Sequence, residues 1–220
     1  MSERIVKLLT ESFFQLLAKG MRVTLPLTAA SFALGLVLAL TIALVQVAHV
    51  PLLRQAARLY VWLFRGTPMI VQLFIVFYGM PNIGISLPAF PAAVLVFALN
   101  TGAYASETIR AAVESVSAGQ MEAGYMVGMS YLQIMRRIVI PQALRTAFPP
   151  LFNSLIGLVK DTSLAANITV VEMFRQAQLI ASRTYEVFAL YCEVALIYLL
   201  FCTVLTGLQA GCEKRLAFEP

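Results

Sequence analysis

The chain has 220 residues, 60% of them hydrophobic and 12% charged, with a mean hydropathy of +0.83. Soluble domains carry roughly a quarter of their residues as charges, so the composition excludes one and predicts a chain that crosses a membrane several times. The net charge of +5 does not point to nucleic acid, because the basic residues are scattered at the ends of apolar segments, where cytoplasmic loops collect Lys and Arg.

Ile5, Leu8, Leu9, Phe13, Leu16 and Leu17 recur at helical spacing with Arg4, Lys7, Glu11, Gln15 and Lys19 opposite. This predicts an amphipathic helix over residues 1–20, lying in the membrane interface or against a partner. Its charges are spread along it, so no cleavable signal is expected. Val23–Leu53 carries no formal charge with His49 neutral. Since roughly 20 residues cross the hydrocarbon core, the first span is placed at Leu25–Val47. His49, the single histidine, excludes a multi-histidine metal site and reads as an interfacial residue. The second span is predicted at Leu59–Gly79, broken at Arg65-Gly-Thr-Pro68 into a cytoplasmic-side elbow, since proline and glycine interrupt a helix. Pro81–Pro88 is an uncharged loop. The third span, Leu87–Ser106, ends in the polar set Asn100, Thr101, Tyr104 and Glu107, which can line a pathway or bond a neighbouring helix.

Residues 117–143 form a polar, basic island between apolar segments. Ser117-Ala-Gly-Gln120 and Ser130-Tyr-Leu-Gln133 are both S-x-x-Q, the pattern in which a hydroxyl and a later amide cap a helix start. Gly128 between them permits a left-handed turn, and Pro141 is expected to limit the second helix. Leu132, Met135, Ile138 and Val139 fall on one side of the helical period, with Gln133, Arg136 and Arg137 on the other. One face can pack while the other meets a soluble partner.

Ala147–Val171 is the fourth predicted span, interrupted by Lys160-Asp161-Thr162-Ser163 at its middle, where each charge is expensive unless it faces protein or water. Adjacent helical positions differ by about 100°, so Lys160 and Asp161 cannot both face one partner. The choice is between a pathway lined by Lys160, Asp161, Thr162, Ser163, Asn167, Asn100 and Tyr104 and an ion pair with Glu193, Arg175 or a second copy. The last span is Val187–Leu208, with Glu193 inside it. Cys192, Cys202 and Cys212 are ten residues apart, which fits neither a zinc site nor a disulfide framework. No glycine-rich run ends in Lys followed by Ser or Thr, so the chain lacks the phosphate-cradling loop of an ATPase, and no hydrolase motif appears. The arginines of residues 54–65 and 110–145 then lie on one, cytoplasmic side. Five spans put the N-terminus outside and the C-terminus in the cytoplasm, although Arg4, Lys7, Lys19 and Arg22 act against that orientation.

Glu122-Ala123, Gly128 and Ile138-x-x-Pro141 resemble the cytoplasmic "EAA" loop of ABC importer permeases, with Gly124 in place of the usual alanine. By propensity alone that glycine loosens the first short helix by roughly 1 kcal/mol. Phe64-Arg-Gly-Thr-Pro68 and Lys160-Asp-Thr-Ser-Leu164 resemble the polar amino acid branch. Asn100–Thr108, Leu158–Ala165 and Phe174–Ile180 resemble L-cystine permeases in particular, and the resemblance covers nearly the whole chain. It implies an all-α membrane protein of the type I ABC importer permease fold, with about five transmembrane helices and residues 1–220 as one domain. It also implies a transport subunit of the bacterial plasma membrane, without enzymatic activity of its own. The implied cargo is a polar amino acid, cystine first and glutamine, histidine or arginine as alternatives. A channel not driven by ATP is the reading from another class, and a membrane-embedded enzyme is the third. The implied partners are a second permease subunit, an identical copy in a homodimer or else a paralogue, two cytoplasmic ATPases that bind ATP and Mg, and an extracytoplasmic solute-binding protein. No cofactor is expected in this chain. Glu122, Ala123, Gly128, Arg136, Arg137 and Pro141 are the implied ATPase-docking positions.

Overall fold

An apolar chain that leaves water must satisfy its backbone internally, which only helices and closed barrels achieve. The computed structural model describes residues 3–47 and 51–216, and these are helical with no strand among them. His49 lies outside the described residues.

Helix α1 (Glu3–Lys19) passes through a π-helical turn (Gly20–Thr24) into α2 (Leu25–Val47), giving one continuous helix over Glu3–Gln46. The amphipathic segment expected over residues 1–20 is therefore the first part of a longer rod. Its apolar stripe is covered by protein: Leu16 is buried with Val194, Ile197 and Phe201, and Ser12 Oγ donates to the Glu193 carboxylate at 2.5 Å. That bond joins α1 to α10 (Val187–Leu216) and settles Glu193 as a buried tie between helices.

Helix α3 (Pro51–Gly66) is followed by α4 (Met69–Phe74), then a π turn (Ile75–Gly79) and a 3-10 turn (Met80–Ile83). The two parts are bent by 105°, so the second span, Leu59–Gly79, is a broken one. The break comes where Gly66 and Pro68 stand, as expected. Asn100, in the middle of α5 (Ala89–Glu114), donates from Nδ2 to Phe64 O at 3.2 Å and so holds the break level with the centre of that helix. Gln72 Nε2 donates to Phe64 O at 3.0 Å and to Thr67 O at 3.1 Å, answering carbonyls that a helix end leaves without partners.

The loop α6 (Ala118–Met126) and α7 (Tyr131–Ile134) leads through a π turn (Met135–Val139) into α8 (Ile140–Asp161). Pro141 thus does not limit the second helix. It sits in the first turn of α8, where a missing N–H is tolerated, and the wider turn before it accommodates the ring. Beyond Asp161 the chain tightens to a 3-10 helix (Thr162–Ile168) and, after a bend of 51°, resumes as α9 (Met173–Thr184). Among the described residues three helices are long and apolar enough to cross a membrane, and the count becomes five when each bent pair is one span.

Helix α5 forms the centre. It is rich in small residues, among them Ala92, Ala93, Ala98, Gly102 and Ala103, all buried, and such residues let membrane helices approach closely. A Cβ on Gly102 would stand 2.9 Å from the Tyr60 hydroxyl, and one on Gly35 of α2 would stand 2.9 Å from Thr101. Around α5, Leu27, Leu73, Phe97, Leu158 and Ile168 close one core, while a second, between α1, α8, α9 and α10, holds Leu16, Val159, Met173 and Ile197.

Candidate functional site

The broken helix α3/α4, the middle of α5 and the end of α8 enclose a cavity of about 580 Å³, lined among others by Arg65, Thr67, Asn100, Tyr104, Ser154 and Asp161. Each is there for a local reason. Arg65 is the last charged residue before the break, and Asp161 is the last residue of α8 before the chain tightens. Ser154, Gly157, Leu158 and Asp161 lie at successive helical offsets of three and four, so one stripe of α8 faces the space.

Asp161 is partly buried, and no cation stands within ion-pair distance of its carboxylate among the described residues. Arg65 is loosely held. Its Nη1 is 3.7 Å from Glu107 Oε2, and its Cζ lies 5.3 Å from the centroid of the Tyr104 ring. Glu107 itself is well satisfied: Arg110 donates to it from Nη2 at 2.8 Å and from Nε at 3.3 Å, and Gln46 Nε2 donates at 3.2 Å. The cavity thus contains one anion and one cation, neither closely matched within it.

Of the residues expected along a pathway, Asn100, Tyr104 and Asp161 meet in this cavity. Asn100 is 5% exposed, and its amide nitrogen is engaged with Phe64 O and Gln72 Oε1, so its first task is to hold the break. Thr162 is fully buried, with its hydroxyl donating to Val159 O at 2.6 Å. Lys160 and Asn167 are exposed and Ser163 half-buried, and none of the three lines the cavity. Within one chain the alternative ion pair with Glu193 or Arg175 is not formed either, because Glu193 is taken by Ser12 and Arg175 Nη1 donates to Gln178. Sequence reasoning missed Arg65, Thr67 and Ser154 as lining. The helical spacing of Ser154 to Asp161 was a signal for the last. The fold of the break, which turns Arg65 inward, was not visible in any pattern.

A second cavity, of about 680 Å³, adjoins Arg65 and is lined by Arg54, Arg58, Arg110, Glu107, Glu114 and Gln46 among others. Four arginines face two glutamates there. Arg65 belongs to both spaces.

The loop of residues 117–143 is built as two short helices about a turn. Gly128 has φ +80°, the left-handed region that glycine enters freely. Ser130 and Gln133 form the reciprocal cap, with Gln133 Oε1 accepting from Ser130 N at 2.8 Å, whereas the Ser117 side chain makes no capping bond. Gly124 does more than loosen α6: a Cβ there would come within 2.7 Å of Ile134 Cγ1, so the glycine lets α6 lie directly on α7. The residues that pack are Ile134 and Val139, not Leu132, which is 74% exposed. Glu122, Ala123, Arg136 and Arg137 are exposed and Pro141 is half-buried. Met126 and Val127 stand out beside them, so the loop presents apolar and charged groups together.

Residues 31–218 match the family described as binding-protein-dependent transport system inner membrane component. The chain belongs to that family. It is 47% identical over 210 residues to the L-cystine transport system permease protein TcyB of Bacillus subtilis (strain 168), covering 95% of this chain and 90% of the relative. A putative glutamine transport system permease protein GlnP of Rickettsia conorii is 32% identical over 217 residues, covering 98% and 99%. Among solved structures, one described as an amino acid ABC transporter with histidines superposes with a TM-score of 0.91 at 32% identity, covering 98% of this chain and all of the other. An inward facing MetNI methionine ABC transporter shares the fold, with a TM-score of 0.70 at 18% identity over 99% of this chain. The protein is thus an amino acid ABC importer permease subunit, a multi-pass inner-membrane chain of the type I fold. Membership implies ATPase and binding-protein partners.

Proposed function

We propose that this permease passes zwitterionic amino acids, L-cystine first, through the cavity between α3, α5 and α8. The observation that carries the reading is the pairing of Asp161 and Arg65 around one space, each with charge left over. An amino acid brings an ammonium and a carboxylate, and a site offering both signs answers both ends with charge-assisted bonds. The preference for cystine rests on the likeness to TcyB. Glutamine, histidine and arginine are the alternatives. Much of the selection falls to the binding protein, which delivers ligand to a permease that need only accept it.

In this reading two copies of the chain form the pathway. Glu122, Ala123, Gly128, Arg136, Arg137 and Pro141 belong to the face that docks on two cytoplasmic ATPases, which bind ATP and Mg. The N-terminus is outside and the C-terminus cytoplasmic, consistent with Arg54, Arg58 and Arg110 gathering on the side of the docking loop. The test is uptake by the complex reconstituted in vesicles, with labelled cystine, glutamine, histidine and arginine in competition. ATP-dependent accumulation of cystine supports the reading. Flow without ATP makes the chain a channel, and preference for another amino acid replaces cystine.

A further inference from the structure

Arg65 is the one arginine shared by the two cavities, and the way it is held differs from every other ion pair described. The pairs of Arg110 with Glu107 and Glu114 are close, at 2.8 and 2.6 Å, and lie within one helix. The contact of Arg65 with Glu107 is long, at 3.7 Å, and joins α3 to α5. The Arg65 side chain remains 44% exposed, and such loose, open pairs contribute little to holding a fold. Glu107 does not depend on Arg65, because Arg110 and Gln46 already donate to its oxygens. Its other support is the face of Tyr104, a contact that holds a cation without consuming its donors. The backbone next to it is fixed by other means, through Gln72 and Asn100. The side chain can therefore change partners while the break keeps its shape.

We propose that Arg65 is a charge-exchange latch between the two cavities: it rests on Glu107 when the cavity between α3, α5 and α8 is empty and transfers to the carboxylate of an amino acid that enters. This rests on the reading of the cavity as an amino acid site. The exchange is cheap on the protein side, since the carboxylate that loses Arg65 keeps Arg110 and Gln46. It is favourable on the substrate side, since a guanidinium presents paired donors that match a carboxylate in bidentate geometry, which Glu107 at 3.7 Å does not use. Releasing Glu107 also moves the Arg65 side chain off the boundary that it shares between the two cavities, while Tyr60 and Asn100 keep α3 tied to α5. In the larger cavity Arg54, Arg58 and Arg110 outnumber the two glutamates and offer the departing carboxylate a favourable field. Arg65 is then a positioning and specificity residue, and Glu107 is its competitor.

The experiment is equilibrium binding to the purified permease–ATPase complex of L-cystine and of cystine diamide, which keeps both ammonium groups and lacks both carboxylates. The unaltered complex should prefer the acid by about tenfold or more, the scale of one bond between charged groups. Arg65→Gln should abolish that preference by weakening the acid and leaving the diamide unchanged, whereas a merely structural arginine would weaken both alike. Arg65→Lys should restore part of the preference. Glu107→Gln, which removes the competitor, should tighten acid binding severalfold and leave the diamide unchanged. A retained acid preference in Arg65→Gln, or equal effects on acid and diamide in Glu107→Gln, overturns the latch. If cystine does not bind while histidine does, the choice of cystine fails on its own. Histidine and histidinamide then test the same exchange.

Discussion

The chain breaks its helices twice inside the apolar body, and the two breaks are finished in opposite ways. At Arg65–Pro68 the break faces a cavity. Its orphan carbonyls are taken by the neutral amides of Gln72 and Asn100, and its charged residue, Arg65, is left loosely paired. At residues 162–172 the break is packed. Glu172 is fully buried and its carboxylate is consumed, accepting from Phe174 N at 2.7 Å, Arg175 N at 2.6 Å and the Tyr198 hydroxyl at 3.0 Å. Met173 N is met by Thr24 Oγ1 at 3.3 Å. A charge at a break is thus either committed to the fold or kept available, and the bonds around it decide which.

The contrast predicts where substitutions damage folding and where they damage only transport. Glu172→Ala should have the largest effect on stability. It strands two backbone N–H groups and a hydroxyl in a dry site, at a cost of about 3 kcal/mol or more, read as loss of yield and a lowered unfolding temperature in detergent. Glu172→Gln, which keeps an acceptor, should cost clearly less. Gln72→Leu at the other break should cost about 1–2 kcal/mol, because water from the cavity can partly replace the amide. If Gln72→Leu proves as damaging as Glu172→Ala, the distinction between a packed and an open break fails.

Next comes the docking turn. Gly128→Val forces a branched side chain into the left-handed region at a cost of about 1–2 kcal/mol, and since a Cβ added there would meet nothing within 4 Å, the effect is one of backbone alone. It should lower transport and the stimulation of ATP hydrolysis while membrane insertion is unchanged; normal coupling would remove Gly128 from the docking assignment. Smallest in stability is Asp161→Asn, expected within about 0.5 kcal/mol because the carboxylate makes no ion pair among the described residues. Uptake of the preferred amino acid should nevertheless fall by about tenfold or more, the loss of one charge-assisted bond. A destabilised Asp161→Asn protein with normal uptake would make this residue structural, like Glu172.

The helical class, the break at Gly66–Pro68 and the turn at Gly128 were readable because each rests on a local rule: segment length against bilayer thickness, the ring of proline, the freedom of glycine. The capping pair of Ser130 and Gln133 was equally local, yet the same pattern at Ser117 and Gln120 formed no side-chain cap. Leu132 was placed on the packed face by periodicity, but the close contact of Gly124 with Ile134 turned that face elsewhere. The pathway residues were harder still. Thr162, Asp161 and Lys160 are neighbours in sequence, and they end up sealed in the core, beside the cavity and exposed, respectively.

By itself the sequence determined a helical, multi-span chain with a basic loop between its third and fourth predicted spans, because hydropathy and charge placement are properties of short stretches; that the chain is a permease came from the resemblance of its motifs to a known family. Only the tertiary structure decided which polar groups are committed to the fold and which are left open. Burial and hydrogen bonding belong to pairs of residues far apart in the chain: Ser12 with Glu193, Thr24 with Met173, Arg65 with Glu107. A carboxylate becomes a structural tie or an open binding group according to which donors other helices bring within reach, and no local pattern specifies those donors.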